Sequence, residues 1–325
     1  MGLKFVNTGA SLPEKILTNA DLERIVDTTD EWITTRTGIK ERRIASAQEA
    51  TSDFSIRAAR KALEGTPVNP EDIQLIIVAT TTPDHFFPSV ACLVQKALGA
   101  KNAAAFDVSA ACSGFIYALT CARGLIESGD IKYALVIGAD VLTKFADWKD
   151  RATCVLFGDG AGALLIEKTD GPGDLLSAFI GADGSQSDIL SIPGGGSRHP
   201  YNPETWSQHP AFIHMEGKEV FKHAVTRMIE ASLTALRQCG KTSDDLKLLI
   251  PHQANLRIID AIAKRLQLPD DKVFKNVHKY GNMSAATTII ALDEAQRGGR
   301  LQRGDLVELI AFGAGMTWGA CVLRW

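Results

Sequence analysis

Residues 62–78, Ala-Leu-Glu-Gly-Thr-Pro-Val-Asn-Pro-Glu-Asp-Ile-Gln-Leu-Ile-Ile-Val, line up without gaps on residues 235–251, Ala-Leu-Arg-Gln-Cys-Gly-Lys-Thr-Ser-Asp-Asp-Leu-Lys-Leu-Leu-Ile-Pro. Each reads as a helix end, a polar loop and a buried strand. A second pair follows: Gly-Asp-Ile-Lys-Tyr-Ala-Leu-Val-Ile-Gly-Ala at 129–139 against Gly-Asp-Leu-Val-Glu-Leu-Ile-Ala-Phe-Gly-Ala at 304–314. The third is Gly-Ala-Gly-Ala-Leu-Leu-Ile-Glu at 160–167 against Trp-Gly-Ala-Cys-Val-Leu-Arg-Trp at 318–325. Both halves run helix, strand, helix, strand, strand, and the strands are the continuous apolar runs found between helical layers. A period of about 170 residues is a domain duplication and not a solenoid. The expectation is an α/β protein of two related halves, 1–170 and 171–325.

Two segments break the symmetry. One is Val141 to Phe157, between the last two strands of the first half. The other, Ser191 to Pro210, is rich in Pro, Gly, His and Ser and is expected to be an irregular surface loop. Its His199 and His209 lack the clustered carboxylates or thiols that a metal site needs.

The 325 residues suffice for a large core. With 45% hydrophobic residues, 22% charged and a net charge of −3, no global positive field points to nucleic acid or a membrane. No apolar run reaches the length of a membrane span, and the N-terminus does not read as a secretion signal. Six scattered cysteines without a Cys-x-x-Cys pair fit a reducing compartment, so a cytoplasmic protein without disulfides or zinc is expected.

Chemistry concentrates at strand ends. In Phe106 to Ala118 (Phe-Asp-Val-Ser-Ala-Ala-Cys-Ser-Gly-Phe-Ile-Tyr-Ala) a strand meets small residues and opens into a helix. Cys112 therefore sits where unpaired N–H groups and the helix dipole favour a thiolate. A buried small hydrophobe is the competing assignment. His252 follows the strand Leu248–Ile250, at the kind of edge where ligands collect in α/β sheets; a structural histidine is the alternative.

Val273 to Val277 reads as a further strand, and His278 to Ala286 as a helix entry equivalent to the Cys112 turn. The repeat thus sets Asn282 opposite Cys112, although Asn282 could equally be an N-cap. Phe312 to Thr317 is a glycine turn whose N–H groups could face a developing oxyanion.

Taken together, Ala-Ala-Cys-Ser-Gly-Phe, Pro-His-Gln-Ala-Asn, Lys-Tyr-Gly-Asn-Met-Ser-Ala-Ala, Phe-Gly-Asp-Gly-Ala-Gly-Ala and Gly-Ala-Gly-Met-Thr-Trp-Gly resemble the β-ketoacyl-acyl carrier protein synthase III family. The resemblance runs from the first strand to the last residue. It implies the duplicated thiolase-like fold in five layers, α-β-α-β-α, and the initiating condensation of bacterial fatty-acid synthesis. It further implies a Cys112, His252, Asn282 triad and an oxyanion hole from the backbone of Cys112 and Ala314. CoA would meet Trp32, Arg36, Arg151 and Asn255.

Carrier protein is acidic, so a local basic face is expected, with Gln253, Arg257, Lys222, Lys264 and Arg265 in the docking region and Lys218 paired with Lys222. Phe87 matches a position that crosses a homodimer to close the partner's acyl pocket, which favours short primers such as acetyl. The substrates implied are acyl-CoA and malonyl-acyl carrier protein, with no metal or redox cofactor.

Rival assignments are a same-fold condensing enzyme or acyltransferase of secondary metabolism and a scaffold that kept the fold. An elongating synthase resembles a Cys-His-His arrangement, against Asn at 282. A papain-like protease shares the order Cys, His, Asn but not the α/β duplication.

Overall fold

The computed structural model describes residues 2–204, 207, 208 and 210–325. His209, weighed above as a metal ligand, lies outside the described residues. The principal strands are β1 (Gly2–Ser11), β2 (Ile73–Ala79), β3 (Ala104–Val108), β4 (Tyr133–Val141), β5 (Asp159–Thr169), β6 (Leu175–Ala182), β7 (Leu248–Pro251), β8 (Leu306–Gly313) and β9 (Thr317–Arg324). The principal helices are α1 (Asp30–Thr37), α2 (Thr51–Leu63), α3 (Val90–Leu98), α4 (Gly114–Ser128), α5 (Gly217–Gln238), α6 (Leu256–Arg265) and α7 (Ala286–Arg297).

Strands from the first half form a five-stranded sheet in the order β1-β5-β4-β2-β3, and those from the second a four-stranded sheet in the order β6-β9-β8-β7. Corresponding pairs share direction. The β2–β4 and β7–β8 pairs are parallel, while β4–β5 and β8–β9 are antiparallel. The duplication read from the sequence is thus a duplication of sheet topology.

Helices α4 and α7 lie between the two sheets, α2 and α3 cover the outer face of the first, and α5 packs on the outer face of the second beside α6. These are the five layers. Each helix of the central pair turns apolar residues to the sheets and keeps its charged residues toward its C-terminal end. Phe115, Ile116, Leu119 and Ile126 of α4 and Ile289 and Leu292 of α7 are fully buried, each stabilising the core by roughly 1.5–3 kcal/mol.

Two expectations need correction. Val273 to Val277 is not a strand: only Val273 bridges to Leu249, and a four-residue helix, Val277–Tyr280, begins at once. The second sheet therefore lacks a full counterpart of β3. Nor is Ser191 to Pro210 wholly irregular, because Leu190–Ser191 pairs with His214–Met215 in a short antiparallel ribbon. Apolar residues flanking the Pro/Gly run hold this ribbon down, with Leu190, Ile192 and Ile213 packing against Leu142 and Phe157.

Candidate active site

Cys112 lies in a short 3-10 turn, Ala111–Ser113, between β3 and α4. Ala111 adopts φ +46°, a left-handed conformation that costs a non-glycine residue about 1–2 kcal/mol. Neighbouring hydroxyls hold the turn. Ser113 Oγ donates to Thr317 Oγ1 over 2.7 Å, and Thr317 Oγ1 donates to the Ala110 carbonyl over 2.9 Å. The glycine turn is thereby tied to the cysteine turn. A Cβ on Gly313 would lie 2.5 Å from the Cys112 backbone nitrogen, so only glycine permits the approach.

One cavity of about 760 Å³ is lined by Cys112, His252 and Asn282 together with Ala314 and Ser284. Sequence elements more than 100 residues apart thus converge on one space, and the thiol is open to it. Leu142, Leu156, Phe157, Ile213 and Met215 make its wall largely apolar.

That wall decides the resting charges. Burial pushes the Cys112 thiol up to about 12, although hydrogen bonds from the Ser284 side chain and its own backbone act the other way. The sequence favours a thiolate at this turn, but desolvation is the largest influence on the sulfur and leaves a neutral thiol in the empty site. Burial likewise lowers His252 to about 3, so its imidazole is neutral at physiological pH. Its Nδ1 lies 2.6 Å from Thr287 Oγ1.

Asn282 is not an N-cap; α7 starts after Ala285. The amide sits in the break between the Val277–Tyr280 helix and α7, where Gly281 adopts φ +67° and its Cβ would meet the Leu156 carbonyl at 2.8 Å. Its backbone bonds Leu156 O and Gly158 N, and its Oδ1 accepts from Ser284 N at 2.8 Å. With Oδ1 occupied this way, the NH₂ is the group left to donate.

Beneath the site is Asp140, fully buried in β4 and missed by the sequence reading. Its Oδ1 accepts from the hydroxyls of Thr80, Thr81 and Thr82 and from two backbone N–H groups, and its Oδ2 from Ala285 N. It fastens β2 to the start of α7. A lone Asp inside an otherwise apolar strand was the available signal.

At the mouth, the Arg36 and Arg151 guanidiniums lie 4.8 and 5.1 Å from the Trp32 ring centroid. Arg151 also donates to Asp27 O at 2.9 Å. Asn255 lines the mouth and caps α6, accepting from Arg257 N, while its Nδ2 donates to Arg36 O. Arg257, Lys264 and Arg265 on α6 and Lys218 and Lys222 on α5 are exposed. The Arg257 guanidinium lies over Phe221 at the rim between the two helices.

Gln253 is the exception among the docking candidates. It is fully buried, donates to Pro251 O and Phe274 O, and accepts from the backbone of Asn276 and Val277. No atom of it remains for a partner. Phe87 is 85% exposed, beside an equally exposed Phe86, and is not among the residues that line the cavity of its own chain.

Comparisons with known proteins give the family. The sequence profile for 3-oxoacyl-[acyl-carrier-protein] synthase III matches residues 106–184, and the profile for its C-terminal part matches 236–325. A β-ketoacyl-[acyl-carrier-protein] synthase III of Caldanaerobacter subterraneus is 55% identical over 98% of this chain and 97% of its own. The crystal structure of the 3-oxoacyl-[acyl-carrier-protein] synthase III of Aquifex aeolicus covers all of both chains at 49% identity and a TM-score of 0.93. The priming β-ketosynthase of the R1128 polyketide pathway covers 99% of this chain and 96% of its own, at 35% identity and a TM-score of 0.91. The chain belongs to the β-ketoacyl-acyl carrier protein synthase III family.

Proposed function

We propose that this protein initiates fatty-acid synthesis by joining an acyl group, taken from acyl-CoA, to malonyl-acyl carrier protein. The observation that carries the reading is the convergence of Cys112, His252 and Asn282 on one apolar cavity. Cys112 attacks the thioester carbonyl, its proton leaving with the departing CoA thiol, and an acyl-enzyme remains. Backbone N–H groups of Cys112 and Ala314 hold the oxyanion.

Malonyl-carrier then loses CO2, and the resulting enolate oxygen is met by two neutral donors, His252 and the Asn282 amide. The enolate carbon attacks the acyl-enzyme, the Cys112 sulfur departs, and a β-ketoacyl-carrier product leaves. Loss of CO2 drives the condensation and the departing Cys112 thiolate takes up one proton from solvent, so the scheme calls on no metal or redox cofactor.

Trp32, Arg36, Arg151 and Asn255 take the CoA nucleotide at the mouth. Because Arg36 and Arg151 both rest on Trp32, an adenine entering there displaces one guanidinium and stacks between the ring and the other. The rim of Lys218, Lys222, Arg257, Lys264 and Arg265 receives the acidic carrier. Phe87 enters the partner's acyl pocket in a homodimer and selects short primers. The two halves divide near residue 170, between β5 and β6, and the protein works in the cytoplasm beside its carrier.

The likeness to a polyketide priming synthase favours one second reading, the same chemistry on a carrier dedicated to a secondary metabolite. Competition between fatty-acid and polyketide carriers for the acetylated enzyme separates the two.

The test is acetyl-CoA labelling followed by peptide mass analysis. One acetyl group on the Cys112 peptide, absent from Cys112→Ser, is the expected result; no acetyl group on the wild-type protein refutes the reading.

A further inference from the structure

We infer that Thr287 is a positioning residue that sets the tautomer of His252: its hydroxyl donates to Nδ1 and leaves the ring proton on Nε2, facing the cavity. The inference rests on the proposed role of His252 as a donor to the enolate oxygen. Imidazole is ambiguous for that role. In the neutral ring one nitrogen carries the proton and the other a lone pair, and only the form protonated on Nε2 stabilises an oxyanion. A lone pair there repels it.

Among the described residues no carboxylate is hydrogen-bonded to the His252 ring. Its hydrogen-bonding partner is the hydroxyl of Thr287, 2.6 Å from Nδ1, and both residues are buried. A hydroxyl has one proton to give, and Thr287 Oγ1 has two acceptors in reach, Nδ1 and the Ser284 carbonyl at 3.0 Å. If the proton goes to Ser284 O, Nδ1 must donate and Nε2 is bare.

Two features favour donation to Nδ1. The Ser284 carbonyl already accepts from the Thr287 backbone N–H at 3.2 Å, so losing the hydroxyl leaves it satisfied. The contact to Nδ1 is also the shorter of the two. Thr287 is in the first turn of α7, three residues beyond a backbone twist at Ser284 with φ +48°. The same segment that presents the Asn282 amide therefore also fixes the ring of His252, and both donors to the enolate are set by one helix entry.

The test separates the two half-reactions in the full-length enzyme. Thr287→Val keeps the shape and removes both donor and acceptor. Acetyl transfer from acetyl-CoA to Cys112 is expected to stay within about threefold, while CO2 release from malonyl-carrier falls by roughly 10- to 100-fold, as for loss of a hydrogen-bonding partner that fixes a histidine's tautomer. Thr287→Ser is expected to restore CO2 release to within about threefold of wild type.

Nitrogen-15 NMR of the ring-labelled wild-type enzyme should show Nε2 protonated and Nδ1 not, a readout that needs no variant to fold. Three results overturn the inference: CO2 release unchanged in Thr287→Val, equal losses in Thr287→Val and Thr287→Ser, or a ring protonated on Nδ1 in the acetylated enzyme. His252→Ala is run alongside. If that variant keeps full CO2 release, the assigned role of His252 fails; if it is impaired while Thr287→Val is not, only the tautomer inference fails.

Discussion

The Cys112 turn and the Asn282 turn occupy equivalent positions in the two halves, yet they are built differently. Before Cys112 the chain runs through a complete strand, β3, and enters α4 through one 3-10 turn. Before Asn282 the strand has shrunk to a single bridge at Val273, and the entry to α7 is broken by a short helix and Gly281. The first arrangement presents a main-chain N–H and a sulfur; the second frees a side-chain amide and lets Thr287 reach His252. The duplicated fold thus supplies one position twice, and local backbone decides whether it holds a nucleophile or donors.

If that contrast is right, the largest effect should come from crowding the first turn. Gly313→Ala puts a methyl 2.5 Å from the Cys112 nitrogen. Acetyl transfer is expected to fall by at least about 100-fold, the range for a lost oxyanion donor, with the fold destabilised by about 1–3 kcal/mol from overpacking. Unchanged single-turnover acetylation by this variant would break the account of the turn.

A second, smaller effect concerns charge. Because burial holds the Cys112 thiol near 12, its alkylation by iodoacetamide in the empty enzyme should keep accelerating as pH rises from 7 to 10. A plateau reached by pH 7 would mean that the helix end, and not the apolar wall, controls the sulfur.

The smallest effect lies away from the site and compares the sheets. Glu308 in β8 is fully buried, bonded by the Ser232 hydroxyl, and desolvation raises its carboxyl from 4.5 to about 8. In the unfolded chain the group ionises near 4.5, so between that pH and about 8 the unfolded state binds fewer protons than the folded one. Stability therefore falls as pH rises through this window. Glu308→Gln should remove that slope, with a melting temperature exceeding wild type by about 2 °C or more at pH 8 and by less at pH 5. Parallel melting curves for the two proteins across this range would contradict the assignment.

The sequence carried the architecture because its apolar strands repeat in register; Cys112 and His252 were singled out because each follows a strand end, and Asn282 through the repeat, although the strand read before it is only a bridge at Val273. What escaped depends on three-dimensional crowding. Gln253 stood in a charged neighbourhood with a surface-like composition, yet its amide closes four backbone bonds beneath α6. Asp140 is a single acidic residue within an apolar strand and Thr287 one of two adjacent threonines at a helix start, and their partners come from elsewhere in the chain once the halves are packed. The neutral resting thiol at Cys112 escaped for a related reason. Dipole effects can be read from local sequence, whereas the desolvation opposing them comes from Leu142, Leu156, Phe157 and the ribbon at 190–215, which lie far away in the chain.

The most direct measurement follows both half-reactions in Asn282→Ala. The account predicts stoichiometric acetylation of Cys112 at near wild-type rate, with CO2 release from malonyl-carrier reduced by about 100- to 1000-fold, as for the loss of one preorganised donor. Full CO2 release by that variant, or an equal loss of acetylation and decarboxylation, would contradict it.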